Sequence, residues 1–437
     1  MTLTQILSPR WVIPVEPRSS TLTDHSVVIE DGRIAAILPS HDARKRYPLF
    51  RETVLPNHVL IPGLINLHTH SAMSLMRGLA DDTPLMTWLN DHIWPAEIKH
   101  LSDAYVFDGS ELSAAEMIRS GTTCFADMYF FHDAVARAAQ KAGMRAALGG
   151  GIVEFATPYA GDAEAYIAKC LAPRDEFAGD SRLKLMLAPH APYTVSDKTF
   201  ERILAISQEA DYPVMMHIHE TAEEISQGEK EHGCRPIARL ERLGILGPNL
   251  IAVHCVHLTN FEIELFARRG VNVAHCPASN LKLASGIAPI KEMLEAGINV
   301  GIGTDGAASN NRLDMLAETR LASMLQKGVS GDAAALPVHQ ALEMATLNAA
   351  KALGWEHEIG SIVAGKAADL TAVDLSSLET RPVYHPASHL FHAASREHVT
   401  HVWVEGELLL DNRTLTRLDV DELKAKAILW QQRFAEH

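Results

Sequence analysis

The stretch Val59-Leu-Ile-Pro-Gly-Leu-Ile-Asn-Leu67, followed at once by His68-Thr69-His70, decides how this chain is read. The run is apolar throughout, as a strand covered on both faces requires. Residues two apart in an extended strand point to the same side, so both imidazoles aim at one place. The design recurs downstream. Val214-Met-Met216 leads into His217-Ile-His219-Glu220, Val253 into His254-Cys-Val-His257, and Gly301-Ile-Gly303 into Thr304-Asp305-Gly306. Ala188-Pro189-His190 is a weaker instance. Side chains with chemistry therefore collect where apolar runs stop.

Helical patterns lie between these runs. Asp133–Ala142, Pro289–Ala296 (stopped by Gly297) and Pro337–Leu353 (stopped by Gly354) are examples, and a glycine is the expected stop. Strand–helix units repeating every ~30 residues predict a parallel sheet covered by helices. Over residues 61–362 this α/β pattern suits a (β/α)8 TIM barrel, whose functional groups sit at the C-terminal ends of the strands. No Gly-x-Gly-x-x-Gly follows a strand, which disfavours a dinucleotide fold. The two chain ends read differently. His25–Glu30 and Arg33–Leu38 flank Asp31-Gly32, a hairpin signal. Ala368–Val373 reads as a strand, and His401–Glu405 with Glu407–Leu410 as a second hairpin. Neither end can bury a core alone. Residues 1–60 and 363–437 are therefore expected to join into one small β-sandwich domain, with Asp419–Phe434 as a helix packed outside.

Composition narrows the function. The 437 residues carry 39 Lys+Arg and 54 Asp+Glu, a formal charge of −15, which argues against a nucleic-acid partner. No apolar run reaches the ~18–20 residues of a membrane span, and the N-terminus does not read as a signal peptide. The five cysteines form no Cys-x-x-Cys, so a reducing cytoplasm is expected and Cys255 and Cys276 read as small core residues. The 23 histidines are the anomaly. Three His and one Asp make a nitrogen and oxygen donor set suited to Zn2+ or Fe2+. Such an ion brings bound water toward a pKa of ~7. Glu220 is placed to move protons beside it. At this level His219 and His257 read equally as ligands or as structural residues, and Asp305 also reads as a helix cap.

These motifs together resemble the amidohydrolase superfamily. Leu67–Asp82, Trp94-Pro-Ala-Glu97, Ala188–Tyr193, Pro277–Leu283 and Gly303–Asn311 are similar to its 5-methylthioadenosine/S-adenosylhomocysteine deaminases. The resemblance implies that His68, His70, His217 and Asp305 bind one divalent metal per subunit, usually zinc. It implies that Glu220 relays a proton to the purine ring, that His254 orients the attacking water, and that Asp305 takes the proton of that water. It also implies that Glu97 binds ribose hydroxyls, that His190 contacts the nucleoside, and that homo-oligomers form. The expected reaction is hydrolytic loss of the adenine amino group from 5'-methylthioadenosine, S-adenosylhomocysteine or adenosine, releasing ammonia. Lys184 stands near the start of its strand and no lysine stands at its end, which favours one ion over two.

Some members carry an arginine near Gly149-Gly-Gly151, suited to a substrate carboxylate. Three glycines here favour methylthioadenosine over S-adenosylhomocysteine. The competing readings are a deaminase of guanine, a triazine or another aromatic amine, and a scaffold without catalysis. Glu97 disfavours the first, because a free base offers no diol. Retention of every proposed ligand disfavours the second. The Pro-Cys-x-x-Cys of cytidine deaminases is absent.

Overall fold

The computed structural model describes residues 4–435. Among them, eight parallel strands form one sheet in strict chain order: Leu64–Thr69, Thr122–Tyr129, Arg145–Ile152, Leu183–Pro189, Val214–Ile218, Leu250–His254, Asn272–His275 and Asn299–Ile302. Helices such as Asp103–Arg119, His132–Ala142, Asp197–Ala210 and Asn260–Arg269 return the chain between them. Their polypeptide caps are conventional. Thr259 and Glu262 form a reciprocal capping box, and Ser196 accepts from Thr199 N. The sheet closes through residues just beyond its last strand. Asp305 N donates to His68 O at 2.9 Å, and Thr304 N donates to Asn66 Oδ1 at 2.9 Å. This is the barrel expected from the alternation of strand and helix.

The chain ends build a second, mixed sheet of nine strands. The His25–Glu30 and Arg33–Pro39 hairpin pairs antiparallel as predicted, and so do Val399–Val404 and Glu407–Asp411. Parallel pairing of Thr4–Val12 with Arg51–Pro62, and antiparallel pairing of Arg51–Pro62 with Leu370–Asp374, join the N- and C-terminal contributions. The hairpin tip then folds back on the far half: Ala368 N donates to Gly32 O and Ile34 N to Lys366 O. Leu7, Val27, Leu60, Leu370 and Trp403 share the enclosed core. Strand Arg51–Pro62 passes into the first barrel strand through Gly63 alone, so the two sheets are joined without a linker.

Below the barrel, Arg145 pairs with Asp369 (3.2 Å) and Glu405 (3.1 Å) of the terminal sheet. Lys184 donates to the carbonyls of Leu353 and Gly354 at this same end. The helix Val420–Ala435 lies on Asp103–Arg119, with Trp430 Nε1 donating to Asp108.

One expected element divides. Pro337–Leu353 is two helices, Val338–Met344 and Leu347–Ala352. The break at Ala345–Thr346 frees the Ala345 carbonyl to accept from Ile65 N at 2.9 Å in the first strand, while Thr346 Oγ1 bonds back to Leu342 O. A tertiary hydrogen bond outweighs continuous helical periodicity there.

The closure also fixes one side-chain volume. A Cβ on Gly303 would lie 2.7 Å from His68 N and 2.9 Å from His68 Cβ, which are backbone-anchored atoms that cannot turn aside. Gly303→Ala is expected to cost about 1–3 kcal/mol of stability by overpacking. Urea unfolding of the two proteins checks this.

Candidate active site

Apart from Glu97, each candidate side chain stands at or just beyond the upper end of a barrel strand. His68 lies among the last residues of the first strand and His70 follows it, His217 lies in the fifth, and His254 ends the sixth. Asp305 lies beyond the eighth, with φ +63°; His254 has φ +70°. These left-handed turns are uncommon for residues other than glycine and swing the side chains over the barrel mouth.

The ring nitrogens and the carboxylate converge. His68 Nε2 lies 3.2 Å from His217 Nε2 and 3.3 Å from Asp305 Oδ1. His70 Nε2 lies 3.3 Å from the same oxygen. His68, His217 and His254 form one group of ligand-capable atoms within 4.8 Å of one another, and His68, His70 and Asp305 another. The surroundings commit the far side of each group. His70 Nδ1 donates to Met128 O at 2.6 Å, so its Nε2 lone pair faces inward when the ring is neutral. Asp305 Oδ2 accepts from Ser279 Oγ (2.6 Å) and Ser309 Oγ (2.8 Å), leaving Oδ1 turned to the histidines. His254 Nδ1 bonds Asn280 Oδ1 at 2.8 Å, which presents Nε2 toward Glu220 Oε2, 3.6 Å away. Acceptors facing acceptors in a buried space need a positive charge between them. A divalent cation with nitrogen and oxygen ligands meets that need, so the residues present fit a zinc-type ion.

Electrostatics separate the carboxylates. Burial opposes the charge on Asp305, but the adjacent His68 and His70 rings outweigh it and hold its carboxyl well below the usual range. Burial pushes the Glu220 carboxyl up, with His254 opposing and Asp305 reinforcing the shift. Burial also drives Glu97 up to about 7, against a hydrogen bond from Tyr129. Burial pushes His68 down to about 4 and His190 to about 3, so both rings are neutral near neutral pH.

Above the cluster opens a cavity of about 320 Å³. His70, His190, His217, Glu220, His254 and Asp305 form its floor, while Trp88, Trp94, Leu89, Phe130 and Phe155 form apolar walls. Glu97, on helix Trp94–His100, reaches it from the side. All eight candidate residues thus meet in one place. His219 and His257 do not join them. His219 Nε2 accepts from Ile237 N, and His257 Nε2 bonds Ser285 O. Asp305 does not cap the next helix, Ala307–Asn310, whose N-cap is Gly306.

Residues outside the candidate set complete the arrangement. Ser279, Ser309 and Asn280 orient Asp305 and His254, and all three fall inside the motif strings singled out above; their roles there carry no signature of their own. Tyr129, which donates to Glu97 Oε1 at 2.5 Å, left no sequence signal beyond its place at a strand end.

The sequence profile of the amidohydrolase family matches residues 59–409. The chain is 46% identical over 435 residues to a 5-methylthioadenosine/S-adenosylhomocysteine deaminase of Teredinibacter turnerae, covering 99% of this chain and 98% of that one. It is 42% identical over 396 residues to a 5'-deoxyadenosine deaminase of Methanothermobacter thermautotrophicus, covering 90% and 91%. An adenosine deaminase from Xanthomonas campestris, solved with bound zinc, superposes with a TM-score of 0.97 at 46% identity over 99% of both chains. Profile, relatives and barrel-mouth geometry agree: the chain belongs to the amidohydrolase family.

Proposed function

We propose that the chain is a metal-dependent hydrolytic deaminase of adenosines modified at the 5' position, with 5'-methylthioadenosine its preferred substrate. The observation that carries this reading is the convergence of three imidazoles and one carboxylate beneath an apolar cavity with Glu97 on its side wall. Relatives named for methylthioadenosine, S-adenosylhomocysteine and 5'-deoxyadenosine support the substrate class. His68, His70, His217 and Asp305 would hold one ion, with zinc the first choice and Fe2+ compatible with the same donors. That ion, when bound, supplies a hydroxide nucleophile near neutral pH. The four buried thiols Cys124, Cys170, Cys255 and Cys276 suit a reducing cytoplasm.

The chain's own residues account for the remaining chemistry. Glu97 accepts from the ribose diol and fixes the sugar. The aromatic and aliphatic walls take the purine faces and exclude water. His190 and His217 stand 4.9 Å apart between ring centroids, so His190 caps the floor beside the base. Attack at C6 places charge on the neighbouring ring nitrogen, where Glu220 delivers a proton. Burial raises its pKa, which favours the form that carries that proton. His254 holds the attacking oxygen in line through Nε2, and Asp305 Oδ1 accepts its proton. Ammonia then leaves, and the inosine-type product remains. These groups are held by hydrogen bonds before substrate arrives, which is the condition for stabilising developing charge.

The wall that would receive a 5' substituent carries no Lys or Arg among the cavity's lining residues. That supports methylthioadenosine over a substrate with a charged amino-acid tail. A Cβ on Gly149 would approach Ala188 Cβ at 2.7 Å and one on Gly150 would meet Cys170 Cβ at 3.0 Å, so a side chain at either requires a neighbour to move. Gly151 has room for one, since its nearest neighbour would be Phe130 at 3.4 Å.

Three outcomes test the reading. His217→Ala is expected to lose bound zinc, read by plasma emission, and to lower ammonia release by at least ~10³-fold. Retained metal and turnover would refute the site. Glu97→Gln should weaken kcat/KM for methylthioadenosine by about tenfold or more, while turnover of a free aminopurine barely changes. Equal losses would favour the aromatic-amine reading. Finally, the wild type should prefer methylthioadenosine to S-adenosylhomocysteine in parallel steady-state assays. Gly151→Arg should shift that ratio about tenfold toward the carboxylate-bearing compound.

A further inference from the structure

We infer that Tyr129, backed by Tyr105 and the C-terminal helix Val420–Ala435, is a positioning residue that sets nucleoside affinity by holding Glu97 in its ribose-binding pose. The inference rests on the ribose role proposed for Glu97.

The geometry is a stack running from the chain terminus to the cavity. Tyr129 ends the second barrel strand, is buried, and donates its hydroxyl to Glu97 Oε1 at 2.5 Å. Behind it lies Tyr105, from helix Asp103–Arg119, with 1% of its surface exposed. The Tyr105 hydroxyl is buried without a hydrogen bond of good geometry, and the groups acting on it are Glu97 and the Tyr129 hydroxyl. The Tyr105 ring meets Trp430 edge-on at 5.3 Å and Phe434 at 6.1 Å. Phe434 also lies 4.5 Å from His100, the last residue of the helix that carries Glu97. The C-terminal helix is anchored in turn by Trp430 Nε1 on Asp108 and by Lys426 on Glu111 and Asp108.

This arrangement addresses a physical problem. Glu97 is a buried carboxylate, and burial drives it toward the neutral acid. A neutral acid would be a poorer acceptor for a diol. The Tyr129 hydroxyl favours the charged form and fixes which oxygen faces inward, leaving Oε2 free for the sugar. Tyr105 offers Tyr129 a second phenol whose proton can turn toward the Tyr129 oxygen. Packing by Trp430 and Phe434 restrains the Tyr105 ring. None of these residues except Glu97 and Tyr129 lines the cavity, so the others act through those two.

The test uses full-length, zinc-replete enzyme and isosteric changes. Tyr129→Phe is expected to raise KM for methylthioadenosine about tenfold, with kcat falling far less. Its diagnostic is coupling to the sugar. The wild type should lose kcat/KM on the 3'-deoxy analogue, and that loss should shrink at least threefold in Tyr129→Phe. Tyr105→Phe should show the same pattern more weakly and add little on top of Tyr129→Phe. Trp430→Ala should do likewise, with thermal melting recorded to separate affinity from folding. If Tyr129→Phe keeps the full 3'-deoxy penalty while Glu97→Gln abolishes it, the positioning role is overturned. If Glu97→Gln itself keeps that penalty, the ribose reading of Glu97 falls, and this inference falls with it.

Discussion

The hydrogen bond from Asp305 N to His68 O is the contact on which the site depends. It closes the barrel between the first strand and the residues after the eighth. It therefore places a carboxylate from one end of the catalytic segment against histidines from the other, 237 positions apart by their numbering. No local element could do this. The side chains meet because the backbone has already met. The absence of a side chain at Gly303 allows that approach, and the Ala345 carbonyl braces the first strand from behind.

Closure alone would leave the side chains pointing along the strands. The turns at His219, His254, Cys255 and Asp305 all take positive φ, a conformation costing of order 1–3 kcal/mol per residue where it is unfavourable. Local bonds offset that cost. Glu224 accepts from the backbone N–H of both His219 and Glu220 at 2.9 Å, so one buried carboxylate clamps the turn that presents Glu220. Asn280 holds the His254 ring, and Gly306 N with two serines holds Asp305. The strain sits where side chains are re-aimed, and each strained turn has a dedicated partner.

Much of this was legible in the chain. Apolar runs that end in His-x-His or in Thr-Asp-Gly announce both the strand and the residues at its mouth, because burial and period-two geometry act over a few residues. What stayed hidden depends on contacts distant in sequence. Helical periodicity over Pro337–Leu353 could not reveal a break made for Ile65 N. His219 shares a motif with His217 yet faces helix Pro236–Arg242, since its left-handed turn reverses the alternation. Tyr129 carries no motif, and its partner Glu97 lies 32 positions away.

One pocket also shifts three carboxylates in different ways. Asp305 lies against two imidazoles and stays charged. Glu220 lies among apolar walls, with one imidazole near it and another carboxylate beyond, and its proton is held more tightly. Glu97 has a phenol against it, and burial drives it up to about 7. The residue type alone does not separate acid, base and sugar ligand; the neighbours do. In the proposed reaction the contrast between Asp305 and Glu220 has a use. A carboxyl held as low as Asp305 is a poor proton donor and suits a place beside a divalent ion, whereas burial favours the proton-carrying form of Glu220.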